Sequence, residues 1–400
     1  MNNLLTNNQQ IASAKKPRND VRVPKLRFKE FEGDWKQLKI ENILKIGSGR
    51  DYKHLNIGKI PVYGTGGLMT YVDKYLYEGE SVCIGRKGTI DKPVYLNEKF
   101  WTVDTLFYTH SFTNSIPKFI FSLFQKINWK LHNEASGVPS LSKKTIENIK
   151  ITIPKLLEQQ KIATFLTAVE TKLQQLNSKK SALETYKKGA MQQLFSEEIR
   201  FKSNDGSNFA DWEEKKLGEV CEMTSSKRVY LNDYVSNGIP FYRGKEISEL
   251  RLNKSPSDIL FITKERYEDF KFKYGVPLKN DILITAVGTL GNVLRIRNDD
   301  PFYFKDGNLI WLRKHSENPE FLEILLAWET RELIKTSIGS TQKALTMVEL
   351  RKLKFNFPSL KEQQKIATYL SAIDTKIEYV QQQIKKTQVF KKGLLQQLFV

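Results

Sequence analysis

One stretch occurs twice, and it constrains the fold more than any other feature of the chain. Pro154 to Phe195 reads PKLLEQQKIATFLTAVETKLQQLNSKKSALETYKKGAMQQLF, and Pro358 to Phe399 reads PSLKEQQKIATYLSAIDTKIEYVQQQIKKTQVFKKGLLQQLF. The two align without a gap and are identical at nearly half of their positions, so the segment is duplicated. Both copies read as helix. Apolar residues recur at Ile162, Leu166, Val169, Leu173, Leu176, Leu183, Ala190 and Leu194, and again at Ile366, Leu370, Ile373, Ile377, Val380, Ile384, Leu394 and Leu398. Steps of four and three alternate, which is the narrow seam of a coiled coil rather than the broad face of a globular helix. Lys180 and Lys187 interrupt the first seam, Thr387 and Lys391 the second. At ~1.5 Å per residue each rod is roughly 55 Å long. A stripe that narrow needs a partner, and each rod is the natural partner of the other.

The repeat extends beyond the rods. Arg27-Phe28-Lys29, Asp34-Trp35, Ile40 and Ile43 return as Arg200-Phe201-Lys202, Asp211-Trp212, Leu217 and Val220. Ile60-Pro61-Val62-Tyr63-Gly64 returns as Ile239-Pro240-Phe241-Tyr242-Arg243. The β-rich runs Ser81–Ile84 and Ile282–Thr285 lead to Gly88-Thr89-Ile90 and Gly288-Thr289-Leu290. Each globular part then has a helical stretch, a Ser-containing loop (135–138, 339–342) and a strand (149–153, 353–357) that ends at the proline opening its rod. The class is α+β, a globular domain plus a rod used twice. The divisions expected are a mobile tail over 1–20, a first domain over 21–154, a helical spacer over 155–198, a second domain over 199–358 and a helical spacer over 359–400. The shared positions are apolar residues, Gly and Pro, which set packing and turns. The differing ones fall in loops, where recognition chemistry is usually carried.

Sixty-four Lys and Arg against 45 Asp and Glu give a net charge of +19, a balance that points to a polyanion, with nucleic acid the usual one. No run of 18 apolar residues is present to span a membrane, and residues 1–20 lack the apolar core of an export signal. Cys83 and Cys221 stand alone, which fits a reducing compartment, the cytoplasm. His54, His110, His132 and His315 are scattered, so no metal site is expected.

Catalytic motifs are missing. There is no Gly-x-x-x-x-Gly-Lys-Ser/Thr loop, and Tyr63-Gly64-Thr65-Gly66-Gly67 lacks the spacing of a dinucleotide site. No Asp/Asn-Pro-Pro-aromatic tetrad, Gly-x-Ser-x-Gly elbow or Cys/His constellation appears. Lysines on the rods fit a solvated helix face. Basic residues beside glycines in the globular parts are better placed for phosphate and base contact: Arg86-Lys87, Arg243-Gly244-Lys245, Lys143-Lys144 and Gln342-Lys343.

The order domain, LEQQKIATFL helix, domain, KEQQKIATYL helix resembles the specificity subunit of type I DNA restriction–modification enzymes. The paired EQQKIA motifs (158–163, 362–367), the KKG…QQLF closures and the paired Asp-Trp openings carry the likeness over Arg27 to Phe399. The resemblance implies two target recognition domains, each reading half of a bipartite, asymmetric site in double-stranded DNA. It implies rods packed as an antiparallel coiled coil with pseudo-twofold symmetry, along the seam Ile162, Leu166, Val169, Leu173, Leu176 against Ile366, Leu370, Ile373, Ile377, Val380. It further implies docking of modification subunits, two per chain, which bring S-adenosylmethionine and methylate adenine N6, and of restriction subunits, which bring ATP and Mg. The chain itself would hold no catalytic residue, cofactor or metal. Asn and Gln suit adenine, Arg and Lys suit guanine. The DNA contacts expected are therefore Thr65, Arg86, Lys87, Thr89, Ser136 and Lys143 in the first domain. In the second they are Arg243, Lys245, Thr289, Asn292, Gln342 and Lys343.

Competing readings are a stand-alone sequence-specific DNA-binding protein, an adaptor with protein-binding domains, and a methyltransferase or nuclease in its own right. The first leaves the two rods unexplained, the second the charge, and the third lacks motifs.

Overall fold

The computed structural model describes residues 23–339 and 343–400. The expected tail 1–20 and Gln342 lie outside the described residues. The chain divides into two compact units, Met1–Ser181 with Tyr379–Val400, and Ala182–Glu378.

The first unit runs β1 (Lys36–Lys39), β2 (Lys45–Ser48), β3 (Ile57–Gly64), β4 (Gly67–Val72), β5 (Tyr77–Gly85), β6 (Val94–Thr102), β7 (Leu106–His110), α1 (Pro117–Lys126), α2 (Lys143–Asn148) and β8 (Lys150–Ile153), then enters the long helix α3 (Leu156–Phe195). Six strands form one sheet in the order β2-β7-β5-β6-β3-β4. All its pairs are antiparallel except β3 with β6, where Val62 lies opposite Trp101 and Tyr63 opposite Thr102. Helix α1 starts on a proline, whose missing N–H costs nothing at a helix start. It buries Phe119, Ile120, Leu123 and Phe124 in the cluster that holds Val82, Ile84 and Phe107. β1 pairs antiparallel with β8, Lys36 opposite Ile153, so the chain enters and leaves the domain side by side.

The second unit runs β9 (Glu213–Lys216), α4 (Leu217–Val220), β10 (Glu222–Thr224), β11 (Tyr234–Val235), β12 (Ile239–Tyr242), α5 (Gly244–Arg251), β13 (Leu260–Ile262), α6 (Lys264–Tyr274), β14 (Ile282–Thr285), β15 (Val293–Arg295), β16 (Tyr303–Phe304), β17 (Leu309–Arg313), α7 (Pro319–Trp328), α8 (Thr330–Lys335), α9 (Met347–Lys352) and β18 (Lys354–Phe357), then enters α10 (Leu360–Gln397). β9 pairs with β18 as β1 does with β8. β12 runs parallel to β16, Phe241 opposite Tyr303, as β3 does to β6. The skeleton is otherwise split into two four-stranded sheets, β10-β17-β14-β15 and β11-β13-β12-β16. Where the first unit turns from β3 into the hairpin partner β4, the second inserts α5, β13 and α6.

Each EQQ motif is a joint between its domain and its rod. Glu158 is buried and accepts from Arg27 Nε and Nη2, both at 2.8 Å, and from the Trp35 indole N–H at 3.2 Å. A buried carboxylate is tolerable only when paired this fully. Gln159 Nε2 donates to the carbonyls of Pro154 and Asn114, and its Oε1 accepts the N–H of Ile116, the residue capping α1. The second copy repeats the joint. Glu362 accepts from Arg200 Nε at 3.2 Å and Nη2 at 2.8 Å. Gln363 holds the Pro358 carbonyl and accepts from the N–H of Asn318, the cap of α7. Two bonds differ: Gln363 Nε2 donates to Glu317 Oε2 at 2.5 Å where Gln159 reaches the Asn114 carbonyl, and the Trp212 indole N–H is buried without a partner among the described residues.

The seam residues Ile162, Leu166, Val169, Leu173, Leu176, Ile366, Leu370, Ile373 and Val380 are buried, and Ile377 is half-buried. In the first unit, Ile162, Leu166 and Val169 share a cluster with Leu394, Leu398 and Phe399. In the second, Ala190 and Leu194 share one with Ile366, Leu370 and Ile373. Within each unit, then, the beginning of one long helix packs against the end of the other. Two of the lysines that interrupt the seam have acidic partners there: Lys391 donates to Glu170, and Lys187 donates to both oxygens of Asp374 at 2.7 and 2.8 Å. Glu170 and Asp374 are equivalent in the repeat, as are Lys187 and Lys391, so one ion pair is used twice.

Candidate nucleic-acid interface

The loop after β5 folds back sharply. A Cβ at Gly85 would sit 2.1 Å from the Thr89 carbonyl oxygen, so only glycine lets that loop close. The Arg86 N–H donates to the Thr105 carbonyl at 2.7 Å, and the Arg86 carbonyl accepts from the Leu141 N–H at 2.9 Å. Lys87 bridges Ser140, and the Gly88 N–H donates to the Pro139 carbonyl at 2.8 Å. Gly88 has φ +83°, and a Cβ built on it would lie 3.7 Å from Thr65 Oγ1. These bonds bring the β3–β4 turn, residues 86–89 and residues 139–141 to one surface. Arg86 and Lys87 are exposed on it, and Thr65 and Thr89 are half-buried. Ser136 is exposed farther along the second loop, which Asn133 Oδ1 braces by accepting from the N–H groups of Ala135 and Ser140. Lys143 opens α2, with Glu147 at 3.6 Å. Burial, with Lys143 and Lys45 adding to it, lowers the His110 imidazole below its ordinary pKa.

The second unit repeats the central bonds of that frame. The Ala286 N–H donates to the Asn308 carbonyl at 2.8 Å, and the Ala286 carbonyl accepts from the Leu345 N–H at 2.9 Å. Val287 bridges Ala344, and Gly288 has φ +81°. Thr289, Lys245 and Lys343 are exposed.

Two of the expected contacts are engaged inward. Arg243 caps α5: Nε donates to Glu246 Oε2 at 3.1 Å and Nη2 to Oε1 at 2.6 Å, while its backbone N–H also reaches Oε2. Burial raises the Glu246 carboxyl, and the Arg243 bonds outweigh it, leaving a pKa below the ordinary value. With its Nε–Nη2 edge closed on a fully buried carboxylate, Arg243 holds α5 in place. Asn292 is held in a similar way. Its Nδ2 donates to Ser248 Oγ at 2.8 Å, and its Oδ1 accepts from Arg251 Nη1 at 2.9 Å. Each polar end of the amide makes one bond within the fold, which fixes its orientation. Arg251 was not anticipated, because it lies outside the repeated skeleton and beside no glycine.

Both cysteines are free and buried, and burial pushes each thiol up to about 12. Among the described residues there is no cluster of His, Cys, Asp and Glu able to hold a metal ion, and no helix long and apolar enough to cross a membrane.

The sequence matches the family described as "Type I restriction modification DNA specificity domain" twice, over residues 32–185 and 210–388. The chain belongs to the type I restriction–modification specificity family. It is 28% identical over 355 residues to a putative type I restriction enzyme specificity subunit of Haemophilus influenzae, covering 86% of this chain and 88% of that protein. It is 28% identical over 339 residues to the MjaVIII specificity subunit of Methanocaldococcus jannaschii, covering 80% and 76%. The fold matches the crystal structure of a type I S subunit from M. genitalium with a TM-score of 0.64 at 17% identity, over 94% of this chain and 99% of that one. The two matched segments each contain one of the repeated frames, so the specificity domain occurs here as a tandem pair.

Proposed function

We propose that this specificity subunit reads a bipartite, asymmetric site in double-stranded DNA, one half with each unit. The observation that carries the reading is the repeated frame with changed contents. The Arg86–Leu141 and Ala286–Leu345 frames present different side chains from matching backbone, and the segment after β3 differs wholly from the one after β12. Two modules of one origin with different surfaces suit two different half-sites. Exposed Arg86, Lys87, Lys245 and Lys343 supply charge for phosphates, while loop side chains meet base edges.

In this reading the rods form an antiparallel coiled-coil spacer, which the end-to-start contacts within each unit support. They dock two modification subunits, and through them the restriction subunits. S-adenosylmethionine belongs to the modification subunits, and ATP and Mg to the restriction subunits. The present chain is non-catalytic and cytoplasmic. The test is co-purification with its modification subunit, followed by methylome sequencing of DNA exposed to the complex. Adenine methylation in a split motif with a fixed gap is the expected result. A chain that binds DNA but no modification subunit would overturn the reading in favour of a stand-alone binder.

A further inference from the structure

Most arginines of the second unit are neutralised by carboxylates: Arg243 by Glu246, Arg295 by Glu320 and Glu323, Arg313 by Glu222. Arg251 is different. It is exposed at the end of α5, and its one hydrogen-bond partner among the described residues is the neutral Asn292 Oδ1. An amide oxygen orients a guanidinium without cancelling its charge, and leaves the rest of the planar fork open.

The orienting group is itself fixed. Asn292 Nδ2 is bonded to Ser248 Oγ, and Ser248 Oγ donates to the Gly244 carbonyl at 2.7 Å, one turn back on the same helix. The Asn292 N–H donates to Thr285 Oγ1 at 2.9 Å, and that buried hydroxyl donates to the Thr289 carbonyl. One chain of bonds therefore ties the end of β14, the Thr289 loop, Asn292 and α5 to the position of Arg251. The first unit has Gly85 where the second has Thr285, and a hairpin where the second has α5, so it cannot build this network. A device present in one module only is what a half-site-specific contact requires.

We propose that Arg251 reads a guanine, through O6 and N7 in the major groove, within the half-site met by the second unit, and that Asn292 is its positioning residue. The inference rests on the DNA-reading function proposed above. A fork held ready loses less conformational freedom on binding, and two parallel bonds to one base discriminate strongly.

The experiment uses the full chain in complex with its modification subunit and reads methylation over a library of duplexes randomised through both half-sites. R251Q is expected to lower the preference for guanine at one base pair at least ten-fold, leaving the other half-site and the gap unchanged. N292A is expected to relax the same base pair, and the double variant to relax it no further than R251Q alone. A destabilised N292A would not reproduce that single-position loss. R251K, which keeps the charge but not the fork, is expected to relax that position too. Unchanged preference at every position in R251Q would overturn the proposal. So would a uniform loss of affinity across all sequences with a shallower salt dependence, the signature of a phosphate contact. Absence of split-site methylation by the wild-type complex would instead overturn the function on which the proposal rests.

Discussion

At the scale of single residues, the two EQQ joints differ in the bond made by the tryptophan, and that difference is measurable. Trp35 donates its indole N–H to Glu158, whereas the equivalent Trp212 N–H is buried and unpaired. Trp35→Phe removes a hydrogen bond to a buried carboxylate and Trp212→Phe removes an unsatisfied donor, while both lose similar ring area. Urea unfolding is expected to show Trp35→Phe as the more destabilising by about 1–3 kcal/mol. Equal losses would mean that the Glu158 bond carries no stability. Glu158→Ala is harsher. It strands Arg27, whose side chain is 13% exposed, and is expected to cost about 3–5 kcal/mol by the same measurement. The motif was legible in sequence as a repeat; its reason was not. Arg27 and Glu158 lie far apart in the chain, and no local pattern tells a joint between domain and helix from a surface pair. The same limit applies to Asn292, where residue type and loop position suggested base contact and Ser248 and Arg251, far back in the chain, bond its amide, whereas Arg243 pairs locally with Glu246 three residues on.

At the scale of elements, the rods were readable because their apolar spacing reports burial along one continuous helix. The lysines within the seam read as interruptions, and the pairs Lys187–Asp374 and Lys391–Glu170 give them a role. An apolar stripe alone tolerates slippage by a heptad, while a charge that must meet its partner selects one register. Lys187→Glu is expected to weaken the helix pairing of the second unit, and adding Asp374→Lys to recover most of the loss, with a coupling of about 1 kcal/mol in a double-mutant cycle. A cycle that closes at zero would remove the register role. β1 and β9 show the converse. KQLK and EEKK carry no strand signature, and they are strands because β8 and β18 lie beside them. Helices α5 and α6 were missed for a related reason: each is short, highly charged, and anchored by a few side chains such as Ile247, Tyr267 and Phe270.

At the scale of the whole molecule, a net charge of +19 on a chain with two DNA specificity domains makes a plain prediction. Affinity for duplex DNA, measured by anisotropy, is expected to fall by ~100-fold or more between about 50 and 200 mM salt, because phosphate contacts release counterions. A flat salt response would argue that the basic surplus serves solubility alone. Duplication, rod length, strand skeleton and the absence of catalytic motifs were all open to inspection in the linear chain, since each is a matter of local spacing and composition. Folding decided the rest: which carboxylate meets which arginine, which strands close each domain, and which loop side chains remain free. Those outcomes depend on partners distant in sequence, and a polar side chain acquires its role only when burial and neighbours determine whether its hydrogen bonds are already made.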